Sequence, residues 1–337
     1  MHKTGLVVGK FAPLHNGHRF LIETALRACG KVVILVYSNP DFPEMPQSLR
    51  AKWIRQLYPD AVVFEPVGAP PDCVDDDDVH RRFAKEYLER LGIQVDAVFT
   101  SEAYGPGFAD MLGAHHVMVD ESRKHFPVSG ELIRANPVQH RAMIPPIVFA
   151  HFVRRVVLMG AESTGKSTLA KELAAHFHAP YMPEYGREHY EARNGRLELK
   201  DYVAIAKEHW RREDKLAEQS AGIIFVDTNA ITTLYYSYYY NGSALPELHD
   251  MANSCRQRYS NWYLCGDDIP FEQDGWRDTS AIREKMQRMI RMDLRNRGIP
   301  LVELSGSAAQ RVFQVCTTLL PAGERQGATL SPERMNT

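Results

Sequence analysis

Residues 156–168 read VVLMGAESTGKST, and this stretch decides the fold of the second half of the chain. Four apolar residues make a short buried strand. Gly160-Ala161-Glu162-Ser163-Thr164-Gly165-Lys166-Ser167 then fits GxxxxGK[ST], and residues 169–177 continue with helical spacing. A strand, a glycine-bearing turn and a helix in that order form a phosphate cradle. The glycines let successive backbone N–H groups turn inward, and the helix N-terminus adds its positive dipole end. Gly160, Ser163, Thr164, Gly165 and Thr168 are therefore expected around phosphate, with Lys166 reaching the β- and γ-phosphates and the Ser167 hydroxyl on Mg²⁺.

The same grammar opens the chain. Residues 6–8 (LVV) lead into GKFAPLHNGH at 9–18 and a helical stretch at 19–29. Two such openings predict an α/β protein of two parallel-sheet domains, at residues 1–150 and 151–322, with a flexible tail at 323–337. Further strands are expected at 32–37, 61–67, 97–100 and 117–119 in the first half. In the second half they are expected at 222–226, 262–265 and 301–304. Helical patterns at 48–58, 79–91, 199–220, 230–240 and 281–297 alternate with them. Pro145-Pro146 breaks the chain before the second domain's first strand.

Around the second turn, Asp227 ends the strand at 222–226, where it either ligates a metal or caps the next helix. Glu184, just past the short apolar segment 179–182, is placed to accept the proton of an attacking hydroxyl, or is a loop acid. Arg277, within DGWRD at 274–278, and Arg283 read either as a lid over ATP or as surface arginines before a helix. Arg311 and Gly306 are further candidates near an adenine. The tyrosines at 235, 236, 238, 239 and 240 read as a packing face with one member at a nucleoside pocket.

Around the first turn, His15 and His18 can donate to phosphate oxygens, Gly17 permits close approach, and Gly9, Lys10 and Phe11 complete the turn. Imidazolium and Lys10 would stabilise charge built on ATP as pyrophosphate leaves. Ser129 and Gly130, opening VSGELIR at 128–134, start a helix whose free N–H groups suit phosphate, and Arg134 adds charge one turn later.

Composition narrows the classes. A formal net charge of -2 gives no electrostatic hold on nucleic acid or an anionic membrane. The five cysteines stand singly, which reads as reduced thiols in the cytosol rather than a disulfide framework or zinc site. No apolar run of about 18 residues suggests a membrane span, and the N-terminus lacks the pattern of a signal peptide. Asp75–Asp78 reads as a solvated helix start. The pattern leaves a homo-oligomer open.

In these residues the first half resembles the HxGH nucleotidyltransferases. The whole chain, over about residues 4–320, resembles the NadR-type bifunctional nicotinamide-nucleotide adenylyltransferase/ribosylnicotinamide kinases. The resemblance is carried by GKFAPLHNGH, SEAYG (101–105) and VSGELIR, then by GAESTGKST, PEYGRE (183–188), VDTNAITT (226–233) and DDIPFEQDGWRD (267–278). It implies a Rossmann-like nucleotidyltransferase followed by a P-loop kinase. It also implies phosphorylation of nicotinamide riboside to the mononucleotide, then adenylylation to NAD and pyrophosphate, both with ATP and Mg²⁺. By matching position, Lys10, His15, His18, Ser129 and Arg134 would serve the adenylyl step; Lys166, Ser167, Glu184 and Asp227 would serve the kinase. Ser101, Glu102, Tyr104 and Trp276 are candidates at the nucleoside or nicotinamide. The partners implied are small molecules in the cytoplasm: ATP, nicotinamide riboside, the mononucleotide and NAD. Some members begin with a helix-turn-helix module, and none is expected at the start of this sequence. Many relatives carry Thr where Glu131 stands, so a carboxylate close to a triphosphate sets up a second reading: an active kinase joined to an NAD-sensing, weakly active or inactive first domain. A third is an NAD-responsive interaction protein.

Overall fold

The structure, a computed structural model, describes residues 1–71, 77–270 and 280–319. Cys73, the first part of the acidic run, Trp276, Arg277 and the 323–337 tail lie outside the described residues. The chain divides into two compact units between His151 and Phe152.

The first unit carries a parallel five-stranded sheet in the order β3-β2-β1-β4-β5. Its strands are β1 (His2–Gly9), β2 (Cys29–Val36), β3 (Val62–Phe64), β4 (Ala97–Thr100) and β5 (His115–Met118). The second unit repeats the plan in the order β10-β9-β6-β8-β7. Its strands are β6 (Arg154–Met159), β7 (Tyr181–Met182), β8 (Ile223–Asp227), β9 (Asn261–Cys265) and β10 (Leu301–Leu304).

Continuous apolar runs such as Val32–Val36 suit strands covered by helices on both faces, and in β2 all five of those residues are buried. Packing on the first sheet joins Leu6, Val33, Leu35 and Val98 to Ala84, Leu88 and Phe108 of the flanking helices. On the second it joins Val156, Leu158 and Phe225 to Leu169, Leu173, Val312 and Val315.

The consequence for function is positional. β1 and β6 are the central strands, so the turns at 9–18 and 160–167 both leave the carboxyl edge of a sheet at the point where strand order reverses. That crevice is where doubly wound sheets bind ligands. In the second unit Leu158 pairs with Asp227, which brings the end of β8 beside the turn that follows β6.

β3 and β5 differ from expectation. The run at 61–67 yields only three strand residues, and the edge strand at 117–119 is shifted to His115–Met118. Pairing of Ala97 with His115 sets that register, which the partly polar HHVM sequence does not advertise. Helices Gly105–Leu112, Tyr185–Ala192, Pro246–Arg258 and Ala308–Leu319 stand where no helix was expected.

Candidate active sites

In the first unit, Gly9 ends β1 and Lys10 follows it, exposed. Phe11 takes a left-handed backbone (φ 50°) and is buried, so it forms the floor of the turn rather than its surface. Its ring meets His18 edge-on at 5.0 Å. His15 is the N-cap of helix Asn16–Ala28, its Nδ1 accepting the His18 backbone N–H at 3.3 Å. That bond leaves the Nε2 position to carry the proton of the neutral ring. Gly17 lies in the first turn of the same helix, against the His15 ring.

The two imidazoles stack with centroids 3.7 Å apart. Burial, then the Arg123 charge, pushes His15 down to about 4; burial, then His15 and Arg123, holds His18 well below its ordinary value. Both are neutral near pH 7 in the free protein. Burial lowers the affinity of both rings for a proton, because the charged form loses part of its hydration. Each offers an N–H donor, and only an anion bound against them would restore a positive charge.

Ser129 caps helix Gly130–Ala135 through its side chain, accepting from the Leu132 N–H at 3.2 Å. A Cβ on Gly130 would stand 2.7 Å from the Ala12 carbonyl oxygen, so the SGELIR helix packs directly on the first turn. Arg134 closes the contact, donating to the same Ala12 oxygen and lying over the Phe42 ring at 5.0 Å. The other face of that loop meets Arg50, a buried arginine that donates to the carbonyls of Lys10, Tyr37 and Met45. Arg50 holds the turn in place, and sequence gave no hint of it.

Ser101 follows β4, and Glu102 pairs with Arg123 at 3.6 Å. Tyr104 packs against the core cluster, and burial raises its hydroxyl pKa. Tyr104 is partly buried, whereas Glu102 is exposed.

In the second unit, Gly160 (φ 145°), Ser163 (φ 57°) and Gly165 (φ 79°) provide the inward-turning backbone. Helix Lys166–His176 starts immediately after. Lys166 is buried, its Nζ donating to the Ala161 carbonyl at 2.7 Å; Thr164 turns its hydroxyl to the same oxygen at 2.8 Å. Thr164 therefore offers phosphate its backbone, not its side chain. Ser167 and Thr168 are exposed at the helix start.

Three side chains distant in sequence clamp this loop. Gln287 accepts from the Ala161 N–H at 2.9 Å and donates to the Cys265 carbonyl at 2.7 Å. Arg311, buried, donates to the carbonyls of Thr164, Gly306 and Gly266 and pairs with Asp268 at 2.6 Å. Arg283 donates to the carbonyls of Ser163 and Ile269. Arg311 thus braces the loop.

Ser167 Oγ donates to Asp227 Oδ2 at 2.5 Å, and the other carboxylate oxygen of Asp227 is buried with no hydrogen-bond partner. An orphaned anionic oxygen beside a hydroxyl suits a hard divalent cation that takes its remaining ligands from phosphate and water. Mg²⁺ fits this pair, and no group of three or more His, Cys, Asp or Glu among the described residues forms a protein-only metal cage. Glu184 follows β7 and lines the same cavity; burial and the Asp227 charge lift it to about 7, against Lys166 and Arg187.

That cavity has a volume of about 470 Å³ and runs from the phosphate turn to an aromatic chamber. One ridge of helix Ala230–Asn241, Thr232, Tyr236 and Tyr240 at i, i+4 spacing, lines it throughout. Tyr236 donates to Glu162 of the phosphate turn at 3.2 Å. Tyr190, Tyr202 and His209 also line it. Two of the clustered tyrosines thus face the cavity where one was expected. Tyr235 bonds Asp293, and Tyr238 bonds His249. The i, i+4 repeat was readable in sequence; Tyr190, Tyr202 and His209 carried no such signal.

Comparison with known proteins agrees with this division. Residues 6–136 match a cytidylyltransferase-like family model and residues 155–311 an AAA domain model. Phosphopantetheine adenylyltransferase of Nitrobacter hamburgensis is 25% identical over 40% of this chain and 84% of its own length. Two solved structures share the fold at 22% identity. The NadR protein in complex with NR has a TM-score of 0.65, covering 90% of this chain and 89% of that one. The NadR protein with NAD and AMP-PNP has a TM-score of 0.66, covering 98% of each. The trifunctional NAD biosynthesis/regulator protein NadR of Salmonella typhimurium is 30% identical over 94% of this chain and 82% of its own length. The Escherichia coli protein of the same name matches at the same identity and the same coverage, and on that likeness, with both phosphate turns in place, the chain belongs to the NadR family.

Proposed function

We propose that the second unit phosphorylates nicotinamide riboside with ATP, and that the first adenylates the mononucleotide with a second ATP to give NAD and pyrophosphate. The observation that carries this reading is the pair of phosphate turns, each leaving the central strand of its own parallel sheet. The family supports the choice of substrates, since its solved members are described with NR, NAD and AMP-PNP.

In the kinase, Mg²⁺ held by Ser167 and Asp227 would draw charge from the β- and γ-phosphates. Backbone N–H groups of the 160–165 loop and the Lys166 ammonium orient the triphosphate. Glu184, with its raised affinity for a proton, takes the proton of the attacking ribose hydroxyl. In the adenylyltransferase no protein nucleophile is needed. His15, His18, Lys10 and the helix start at Ser129 hold the phosphates while the mononucleotide oxygen attacks the α-phosphorus and pyrophosphate departs. Small molecules are the partners under this reading, and the cytoplasm is the location. No described helix is long and apolar enough to cross a membrane.

Incubation with nicotinamide riboside, ATP and Mg²⁺, followed by mass identification of products, tests it. The dinucleotide is expected. Mononucleotide alone would leave the first unit as a sensor, the reading to which Glu131 points, and absence of both products would remove the proposal.

A further inference from the structure

The cavity at the second turn must accept a nucleotide carrying about four negative charges. Its lining contributes Glu162, Glu184 and Glu191 on the acidic side. Among the described residues its lining contains one lysine, Lys166, and one arginine, Arg187, beside the histidine His209. Lys166 is fixed at the base of the loop by its bond to the Ala161 carbonyl. Arg283 and Arg311, two other arginines near the loop, donate to its backbone carbonyls from behind. Arg187 lines the same cavity from helix Tyr185–Ala192, three residues after Glu184.

That helix is held from its outer side. His189 and Arg193 meet Asp201 at 3.3 and 2.7 Å, Arg212 pairs with Glu188 at 2.7 Å, and the Arg212 guanidinium lies 4.2 Å from the Tyr185 ring centre. Asp201 is itself buried and fixed by its capping bond to the Glu198 N–H. A short helix tied at four points presents its inner residues at constant depth. Arg187, an exposed residue that lines the cavity, is carried on that support, and its charge acts on both Glu184 and Asp227.

We infer that Arg187 is a catalytic residue of the kinase, contacting the γ-phosphoryl group opposite Lys166 and stabilising it in flight. The inference rests on the reading of this unit as a nucleoside kinase. As the nucleoside hydroxyl oxygen bonds to the γ-phosphorus, the bond from phosphorus to the β,γ-bridging oxygen breaks. The electron pair leaves on ADP, and the hydroxyl proton passes to Glu184. Charge on the three equatorial oxygens is then shared between Lys166 on one side and the planar guanidinium on the other, whose paired N–H groups match two phosphate oxygens.

The test uses the intact chain with Arg187→Ala and Arg187→Lys. Two steady-state rates are measured: phosphorylation of nicotinamide riboside, and adenylylation of the mononucleotide as an internal control of folding. Arg187→Ala is expected to lower kcat for phosphorylation by about 10²- to 10³-fold, with KM for the nucleoside changed less than about 3-fold. The lysine variant should recover about 10-fold of that loss, and adenylylation should be unchanged in both. A kcat within about 3-fold of the parent, or a loss confined to KM, would overturn the inference. So would a parallel fall of both activities, which would mark Arg187 as structural. If the parent chain makes no mononucleotide, the kinase reading itself falls, which is a separate outcome from a parent that is active and a variant that is equally active.

Discussion

The turns at 9–18 and 160–167 share a strand–turn–helix plan but grip phosphate by different means. The second is a backbone device: left-handed residues aim N–H groups inward, and Gln287, Arg283 and Arg311 brace the loop from behind. The first is a side-chain device. Two stacked, neutral imidazoles stand over Phe11, and the SGELIR helix is pressed against the Ala12 carbonyl. A loop of amides carries a fixed partial charge and works at any ordinary pH. Rings buried without charge carry none until an anion arrives, so their contribution depends on protonation and on how water is excluded.

The largest effects should separate the two turns cleanly. Lys166→Met is expected to reduce phosphorylation by about 10³-fold and leave adenylylation of supplied mononucleotide unchanged. His18→Ala should do the reverse, with a loss of about 10²- to 10³-fold. Paired rate measurements check both, and a variant that lowers both rates together would break the comparison.

Removing the brace comes next. Arg311→Met removes the arginine donor from three carbonyls and the ion pair from Asp268, and should cost about 3 kcal/mol in denaturant unfolding, with a raised KM for ATP in the kinase reaction alone. An unchanged midpoint would deny Arg311 its role.

Gly130→Ala tests the close approach that the first turn depends on. Its new Cβ would press on backbone 2.7 Å away, so adenylylation should fall about 10-fold while phosphorylation persists. Full activity would mean that the helix shifts without consequence.

The smallest expected effect is on stability against pH. Burial holds folded His15 at about 4, whereas unfolded histidine titrates near 6.5, so between those values the unfolded chain binds more protons. The His15 contribution is fully present above about 6.5 and is lost as pH falls toward 4. Denaturant midpoints at pH 7, 6 and 5 should show a shallower decline in His15→Asn than in the parent. Equal slopes would place the histidine in water.

Legibility followed the length over which each signal acts. Strand 97–100 emerges as expected because AVFT, a short run with β-branched and aromatic members between polar turns, suits a buried parallel strand; LVEL at 301–304 also pairs as expected, as a half-buried edge strand. Helix Gly105–Leu112 escaped because GPGFADML opens with poor helix formers. It forms by packing: a Cβ on Gly105 would collide with His116 and Thr100 at 2.2 Å, so glycine is there to let the helix close on the sheet. Helix Tyr185–Ala192 is held by Asp201 and Arg212 of another helix, neither of them visible in its own hydrophobic spacing.

The amino-acid order alone was enough for both phosphate turns and the alternation of strands and helices, which depend on backbone preferences within about ten residues, and it singled out His15, His18, Lys166 and Asp227 as candidates. Tertiary structure decided what stands behind and across from them. Arg311 reaches Thr164 over 147 positions and Gln287 reaches Ala161 over 126, while Arg187 and the tyrosines meet the cavity only once helices have docked. Such contacts are chosen by packing geometry, and the charge state of His15 and His18 by the water that packing removes; neither is encoded in a local pattern.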